Sequence, residues 1–436
     1  MKRNIPSRLK STRIISKTEN SHYHILDKLL SCFISSKVRF LYSKYVVRSC
    51  IICFFSAKGS YIFRLAPLII RSDEIGIEDD SLVSLVSFLK DHPKIHTFLL
   101  VFSLCTKIYA VNDNLITSEA FPDKLSDFSF FKDSAAQIPN DEVIPYELIS
   151  TLFSDYSFKQ RWVYVPNGKK AKYEEDWVFN FPTGSALIKT FYYPIDERDP
   201  SAGKQLLETR LLLRKEDGWE AVSYAWNKEQ NEAFKKVAGK TINVAWTDFV
   251  GEEKEVRYRV PNVNQCKECH AADDKISPIG PKARNINKEL EFEDGNFNQL
   301  VYWMNREIID EYPLELNSPV DWMDESKDIN DRVRSYLDVN CGHCHSPTGN
   351  ANSTGLYLHL NETRDIHLGK YKKPVATGRG SGGLKYSIVP GKPEESILLH
   401  RMESMDPGVM MPESGRALTH EEAVVMVREW ILLMQN

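Results

Sequence analysis

Two five-residue strings carry the chemistry of this sequence, Cys266-Lys-Glu-Cys-His270 and Cys341-Gly-His-Cys-His345. Each has the form C-x-x-C-H, the attachment signature of a covalent c-type haem. The spacing has a mechanical reason. Thiols three residues apart share one face of a helical turn, where both can add to the vinyl groups of a single porphyrin. The next residue then offers an imidazole to the iron. At this composition one chance match is expected at roughly 0.004 and two at about 10⁻⁵, so the pair is read as a site. The two motifs use every cysteine beyond residue 110, which leaves no thiol for a disulfide framework. The expectation is two covalently attached haems, held by Cys266, Cys269, Cys341 and Cys344, with His270 and His345 on the irons.

Two other chemistries use paired cysteines. The C-x-x-C pairs, 75 residues apart, also supply the four ligands of a structural zinc, and a C-x-x-C pair can be a redox dithiol. Neither calls for a histidine after each pair.

The second motif has a partner downstream in Val409-Met-Met-Pro-Glu413, whose methionines follow Cys344 by 66 and 67 residues. A thioether opposite His345 gives a His/Met iron and raises its potential. Met411 is the first choice, because Met-Pro in a loop ahead of the last helix suits that role. Met410 is the second, and core packing of both is the structural alternative. His343 is expected to be exposed. The first motif has no such partner. Met304, at helical spacing with Leu300 and Val301, reads as core, and His359, His367 and His400 are further candidates. Without a sixth ligand the first iron would bind small molecules or react with peroxide, whereas a closed iron only passes electrons.

The elements that must position these residues are of two kinds. Ile329, Val333, Tyr336 and Leu337 have helical spacing leading into the second motif. Thr419 and Glu422 form a capping box, followed by a helix with Ala423, Met426, Val427, Trp430 and Leu433 on one face. Two helices crossing beside a haem predict an all-α cytochrome c-like haem domain over 325–436. Upstream, Arg161–Val165, Asp176–Phe181, Ala186–Tyr193, Leu206–Arg214, Trp219–Trp226, Thr241–Trp246 and Val256–Val260 read as strands bounded by turn residues, with Glu229–Val237 as an intervening helix. They predict an antiparallel β-rich domain over 146–262, closed as a sandwich or barrel. The fold class is then α+β, with 111–145 a linker and 263–324 the segment of the first haem. No Gly-rich phosphate loop or nucleophile elbow occurs.

Charge divides the chain in another way. The net charge is −4, yet residues 1–72 carry +12, residues 73–110 carry −3 and residues 111–436 carry −13. With 42% hydrophobic residues the chain is not disordered, and its acidic part would repel nucleic acid. Residues 1–85 form a basic extension with no persistent period, unassigned and consistent with a start placed too early. Residues 86–110 have a signal-peptide layout: Lys90 and Lys94, an apolar core over Ile95–Thr106, then Ala110. That core is too short to span a bilayer. Cleavage after Ala110 leaves an acidic exported chain without a transmembrane span, periplasmic or on the cell surface, suited to a basic redox partner protein.

Several strings together resemble a known family. They are Leu152-Phe-Ser-Asp-Tyr156, Phe181-Pro-Thr-Gly184, Lys189-Thr-Phe191, Asp217-Gly-Trp219, Tyr224-Ala-Trp-Asn227, Asn264–His270, Gly280-Pro-Lys-Ala-Arg-Asn285, Asn298-Gln-Leu300 and Val409–Glu413. Over about residues 120–436 the chain is similar to an uncharacterised family of exported di-haem c-type cytochromes of Gram-negative bacteria. The resemblance implies two covalent haems and a periplasmic or surface location, and supplies no substrate. A second likeness, carried by Phe181-Pro-Thr-Gly184 and Lys189 ahead of a C-x-x-C-H, is to β-fold cytochromes whose haem is cross-linked to a lysine. It implies a first haem lying against the sheet, its distal face open and Lys189 near the porphyrin. The expected function is electron transfer by a di-haem cytochrome. The alternatives are a haem enzyme, a peroxidase or small-substrate oxidase with an open first haem on the β-domain, and a non-catalytic binding module.

Overall fold

Most of the strand signals are realised as one open antiparallel sheet. The computed structural model describes residues 110–435 apart from 274 and 376. The basic extension over 1–85 and the signal peptide, Ala110 excepted, therefore lie outside the described residues. β1 (Phe131–Asp133) and β2 (Ile138–Pro139) form a small ribbon. β3 (Val143–Pro145), β4 (Phe158–Tyr164), β5 (Ala186–Pro194), β6 (Lys204–Lys215), β7 (Gly218–Trp226) and β8 (Ala233–Lys236) then follow one another in a six-stranded meander. β9 (Lys240–Thr247) and β10 (Glu253–Val260) make a separate hairpin. The sheet ends at β3 and β8 and does not close into a barrel. β8 occupies the stretch expected to be a helix. The helical spacing there is short, and the neighbouring strand β7 recruits it through Ser223–Trp226.

Side-chain alternation gives the sheet two unlike faces. On one, Trp162, Tyr164, Ile188, Leu211, Leu213, Val222 and Tyr224 form the main core. Residues 111–145 pack there rather than acting as a linker: Ile116, Leu125, Phe128 and Phe130 are all at most 1% exposed. Each such burial is worth roughly 1.5–3 kcal/mol. The opposite face is built in rows. Val163, Leu187 and Leu212 pair across three strands and pack under Phe179, Phe181, Leu300 and Trp303. At the other end Phe191 and Tyr193 lie beneath Val244, Trp246, Val256 and Tyr258 of the hairpin. Between these apolar ends runs a row of charged residues, Arg161, Lys189 and Arg210.

The expected all-α cytochrome c-like haem domain is corrected by this structure. The architecture is mainly antiparallel sheet, with few and short helices. Over 325–436 the apolar periods do form helices, at Ile329–Leu337 and Glu421–Leu433, with a third at Ile397–Glu403. Between 343 and 396 the chain has only short 3₁₀ turns, because eight glycines and four prolines interrupt any longer helix. The two periodic stretches form their own helices, and the sequence between them does not support a helical domain. The expected capping box is also absent: His420 is the N-cap residue without a side-chain cap, and Glu422 accepts the Tyr156 hydroxyl instead. Among the described residues no helix is long and apolar enough to cross a membrane.

Candidate functional site

Both C-x-x-C-H motifs line one cavity of about 1340 Å³, larger than the roughly 300–1,000 Å³ of a typical small-molecule site. The first motif ends the helix Val263–His270. A reciprocal cap starts that helix: the Asn262 side chain accepts the Gln265 N–H and the Gln265 side chain accepts the Asn262 N–H, both at 3.0 Å. His270 Nδ1 lies 2.9 Å from the Ser277 carbonyl oxygen, which orients the ring and leaves Nε2 for a ligand. Burial, then Lys189, lowers the His270 pKa to about 3, so the ring is neutral.

The second motif follows the helix Ile329–Leu337 through a wide π-type turn over Asp338–Gly342, a distortion frequent at functional sites. The Cys344 and His345 amides both donate to the Cys341 carbonyl, at 3.1 and 2.9 Å. Burial lowers the His345 pKa to about 4, and its Nδ1 is buried with no hydrogen-bond partner.

The motifs touch. Asn350 Nδ2 donates to the Glu268 carbonyl at 2.8 Å, and the Asp273 amide donates to the Thr348 carbonyl at 3.1 Å. Ala272 forms an antiparallel bridge with Gly349. That position must be glycine, because a Cβ there would stand 2.2 Å from the Cys344 carbonyl oxygen.

The methionine loop is clamped onto the same cavity. Met410 is buried, Met411 is half-buried, and both line it. Arg416, 9% exposed, donates to the carbonyls of Met411, Leu418, Arg401, Met402 and Ser404 at 2.7–3.2 Å. Asp155 Oδ1 accepts the amides of Ala417 and Leu418 at 2.7 and 2.8 Å. The Phe153 ring stacks on His420 at 4.1 Å. Truncating the clamp with Arg416→Met should destabilise the chain by about 3 kcal/mol, since buried carbonyls lose charged donors. Limited proteolysis should then cut within residues 404–418, and an uncut loop with an unchanged denaturation midpoint would refute the clamp.

All seven residues singled out for the cofactors, Cys266, Cys269, His270, Cys341, Cys344, His345 and Met411, line this cavity. Met304, His359, His367 and His400 are not among its lining residues. His343, expected to be exposed, is half-buried and lines it. Its Nδ1 lies 3.2 Å from the Val339 carbonyl, a contact that draws the ring inward. Sequence reasoning did not single out Arg161, Arg210, Lys159, Asp155, Arg284 or Arg416. The available signal was a basic residue at an inward position of an otherwise apolar strand, as at Arg161 before Trp-Val-Tyr-Val165.

The donor set suits a porphyrin better than the other two chemistries. The four cysteines are free thiols. Burial pushes those of Cys341 and Cys344 up to about 12 and also raises those of Cys266 and Cys269. A redox dithiol needs the opposite shift. Among the described residues no three His, Cys, Asp or Glu side chains converge as a zinc would require. A porphyrin supplies four nitrogens itself and asks the protein only for thiols and for side chains able to ligate iron, and Cys, His and Met side chains line this cavity. No protein-family model, curated protein or solved structure matches this chain.

Proposed function

We propose that the chain is an exported di-haem c-type cytochrome that transfers electrons. The observation that carries this reading is the convergence of two C-x-x-C-H motifs and a methionine loop on one cavity. Cys266 and Cys269 would hold one haem, with His270 on its iron. Cys341 and Cys344 would hold the other, with His345 and Met411 offering donors to its iron. Haem iron supplies a one-electron couple whose potential the axial ligands tune. The chain's own part is to hold both groups against each other and to limit water. The Ser277 carbonyl fixes the His270 ring, Arg416 fixes the loop that bears the thioether, and the apolar strand rows close the cavity ends. The −13 charge of residues 111–436 favours a basic electron-transfer partner at low ionic strength.

A second reading, a haem enzyme with an open first iron, is supported by one observation. None of the four ligand candidates raised for that iron lines the cavity, whereas Arg161, Lys189 and Arg210 do. Carbon monoxide added to the reduced protein separates the two readings. An unchanged, fully low-spin spectrum supports electron transfer alone, and a shifted, high-spin component supports the enzyme.

The methionine assignment has its own test. Met411→Ala should abolish the far-red sulfur-to-iron charge-transfer band and lower the potential of one haem, while Met410→Leu leaves both in place. The reverse pattern transfers the role to Met410.

A further inference from the structure

Three basic side chains stand shoulder to shoulder on the cavity-facing side of the sheet. Arg161 on β4 is directly opposite Lys189 on β5, and Lys189 is directly opposite Arg210 on β6. Lys159, one row along, lines the same cavity. Like charges in register across strands destabilise a sheet, and buried charges without partners cost several kcal/mol each.

The compensation present is small. Glu208, fully buried, accepts from Arg210 and from the Tyr258 hydroxyl, each at 2.6 Å. Its second oxygen and Arg210 Nε are buried without partners. Arg161 is 8% exposed. Neither its guanidinium nor the Lys189 ammonium takes a hydrogen bond or ion pair among the described residues. The Phe191 ring lies 5.0 Å from Lys189 Nζ and 4.2 Å from the Arg210 guanidinium carbon. A cation–π contact offsets only about 0.5–2 kcal/mol and satisfies no donor. Packing alone would fill this row with apolar residues, as the adjacent row of Val163, Leu187 and Leu212 does.

We propose that the row Arg161, Lys189 and Arg210 is an anion site in the cavity wall, for a group that presents paired oxygens. Guanidinium forks match a carboxylate or a small planar oxyanion with two parallel hydrogen bonds, and the lysine between them adds a point charge. Such oxygens have two sources: a haem propionate, which rests on the proposed function, and a free small anion, which does not.

The test uses the full chain as isolated, with nitrate replacing chloride at constant low ionic strength, followed by calorimetry and by the thermal midpoint. For a free anion, nitrate binds saturably to one site and stabilises the chain, and Arg161→Gln or Lys189→Gln weakens binding at least about tenfold. For a propionate, nitrate does not bind, and the same variants shift the infrared carboxylate band of carbon-13-labelled haem propionate. If nitrate binds neither the isolated chain nor the Cys266→Ser/Cys269→Ser variant, and the propionate band does not move, the anion site is overturned. A chain isolated without haem would sink the cytochrome reading, while the nitrate titration still reports on the row by itself. Lys189→Met, which keeps the side-chain bulk, guards against loss of binding through misfolding.

Discussion

Serine at Cys266 and Cys269, or at Cys341 and Cys344, is expected to halve the haem that stays with the chain after denaturation. Thioether bonds survive unfolding and axial ligation does not, so covalent haem counts the motifs that are used. The pyridine haemochrome spectrum and intact mass should give two haems for the parent chain, one for each double variant and none for the quadruple variant. The free, half-buried thiols in both motifs are alike, which is the reason to expect equal losses. Export through a haem-attaching pathway is needed for the measurement. A colourless parent chain made under those conditions would sink the cytochrome reading. A parent chain with a single haem would confine the reading to one motif and return the other to the zinc and dithiol alternatives.

The second large effect is on stability. Arg284→Met should cost about 3–5 kcal/mol, because it strips a buried carboxylate of its guanidinium partner. Arg284 Nη2 lies 3.1 and 3.2 Å from the two Asp338 oxygens, and the two side chains are 6% and 4% exposed. The pair joins the segment after the first motif to the turn that carries the second. Burial alone would raise the Asp338 pKa, but Lys282, Arg284 and the Leu360 amide hold it below the usual carboxylate value. A depressed folded pKa sets the sign. The contribution is complete above the unfolded value of about 3.9 and is lost as pH falls through the folded value. Urea midpoints should therefore drop sharply for Arg284→Met at neutral pH, and the gap to the parent chain should narrow in acid. A gap that stays constant down to low pH would refute the role of the pair. Asp338→Asn, which removes the charge but keeps the shape, should cost less than Arg284→Met.

What the sequence made legible was local. A five-residue motif states its own chemistry, and the helical periods before Cys341 and after Thr419 stated their own secondary structure. The strands at Arg161–Val165, Ala186–Tyr193, Leu206–Arg214 and Trp219–Trp226 were legible for the same reason, whereas Asp176–Phe181, expected to be a strand, makes only isolated bridges at Val178 and Asn180. What was not legible depends on register and on distant contacts. That Arg161, Lys189 and Arg210 form one row follows from pairings between strands dozens of residues apart. That residues 111–145 belong to the main core shows only when Phe128 and Phe130 meet Tyr164 and Tyr224. The two predicted helices over 325–436 do not define their surroundings, which are irregular chain, short 3₁₀ turns and one further short helix. Two of the strings behind the family likeness now have physical roles. Asp155 in Leu152–Tyr156 pins the methionine loop, and Arg284 in Gly280–Asn285 pairs with Asp338.

The contact between the motifs has a consequence for how such a chain can be altered. Gly349 bridges to Ala272, and Asn350 holds the Glu268 carbonyl, so the peptide of one motif serves as wall for the other. The chain is therefore not two beads on a string. No scissors point between residues 270 and 341 would release two self-sufficient halves, and neither half could be exchanged between proteins as an interchangeable part. A change that moves the backbone of one motif is passed directly to its neighbour.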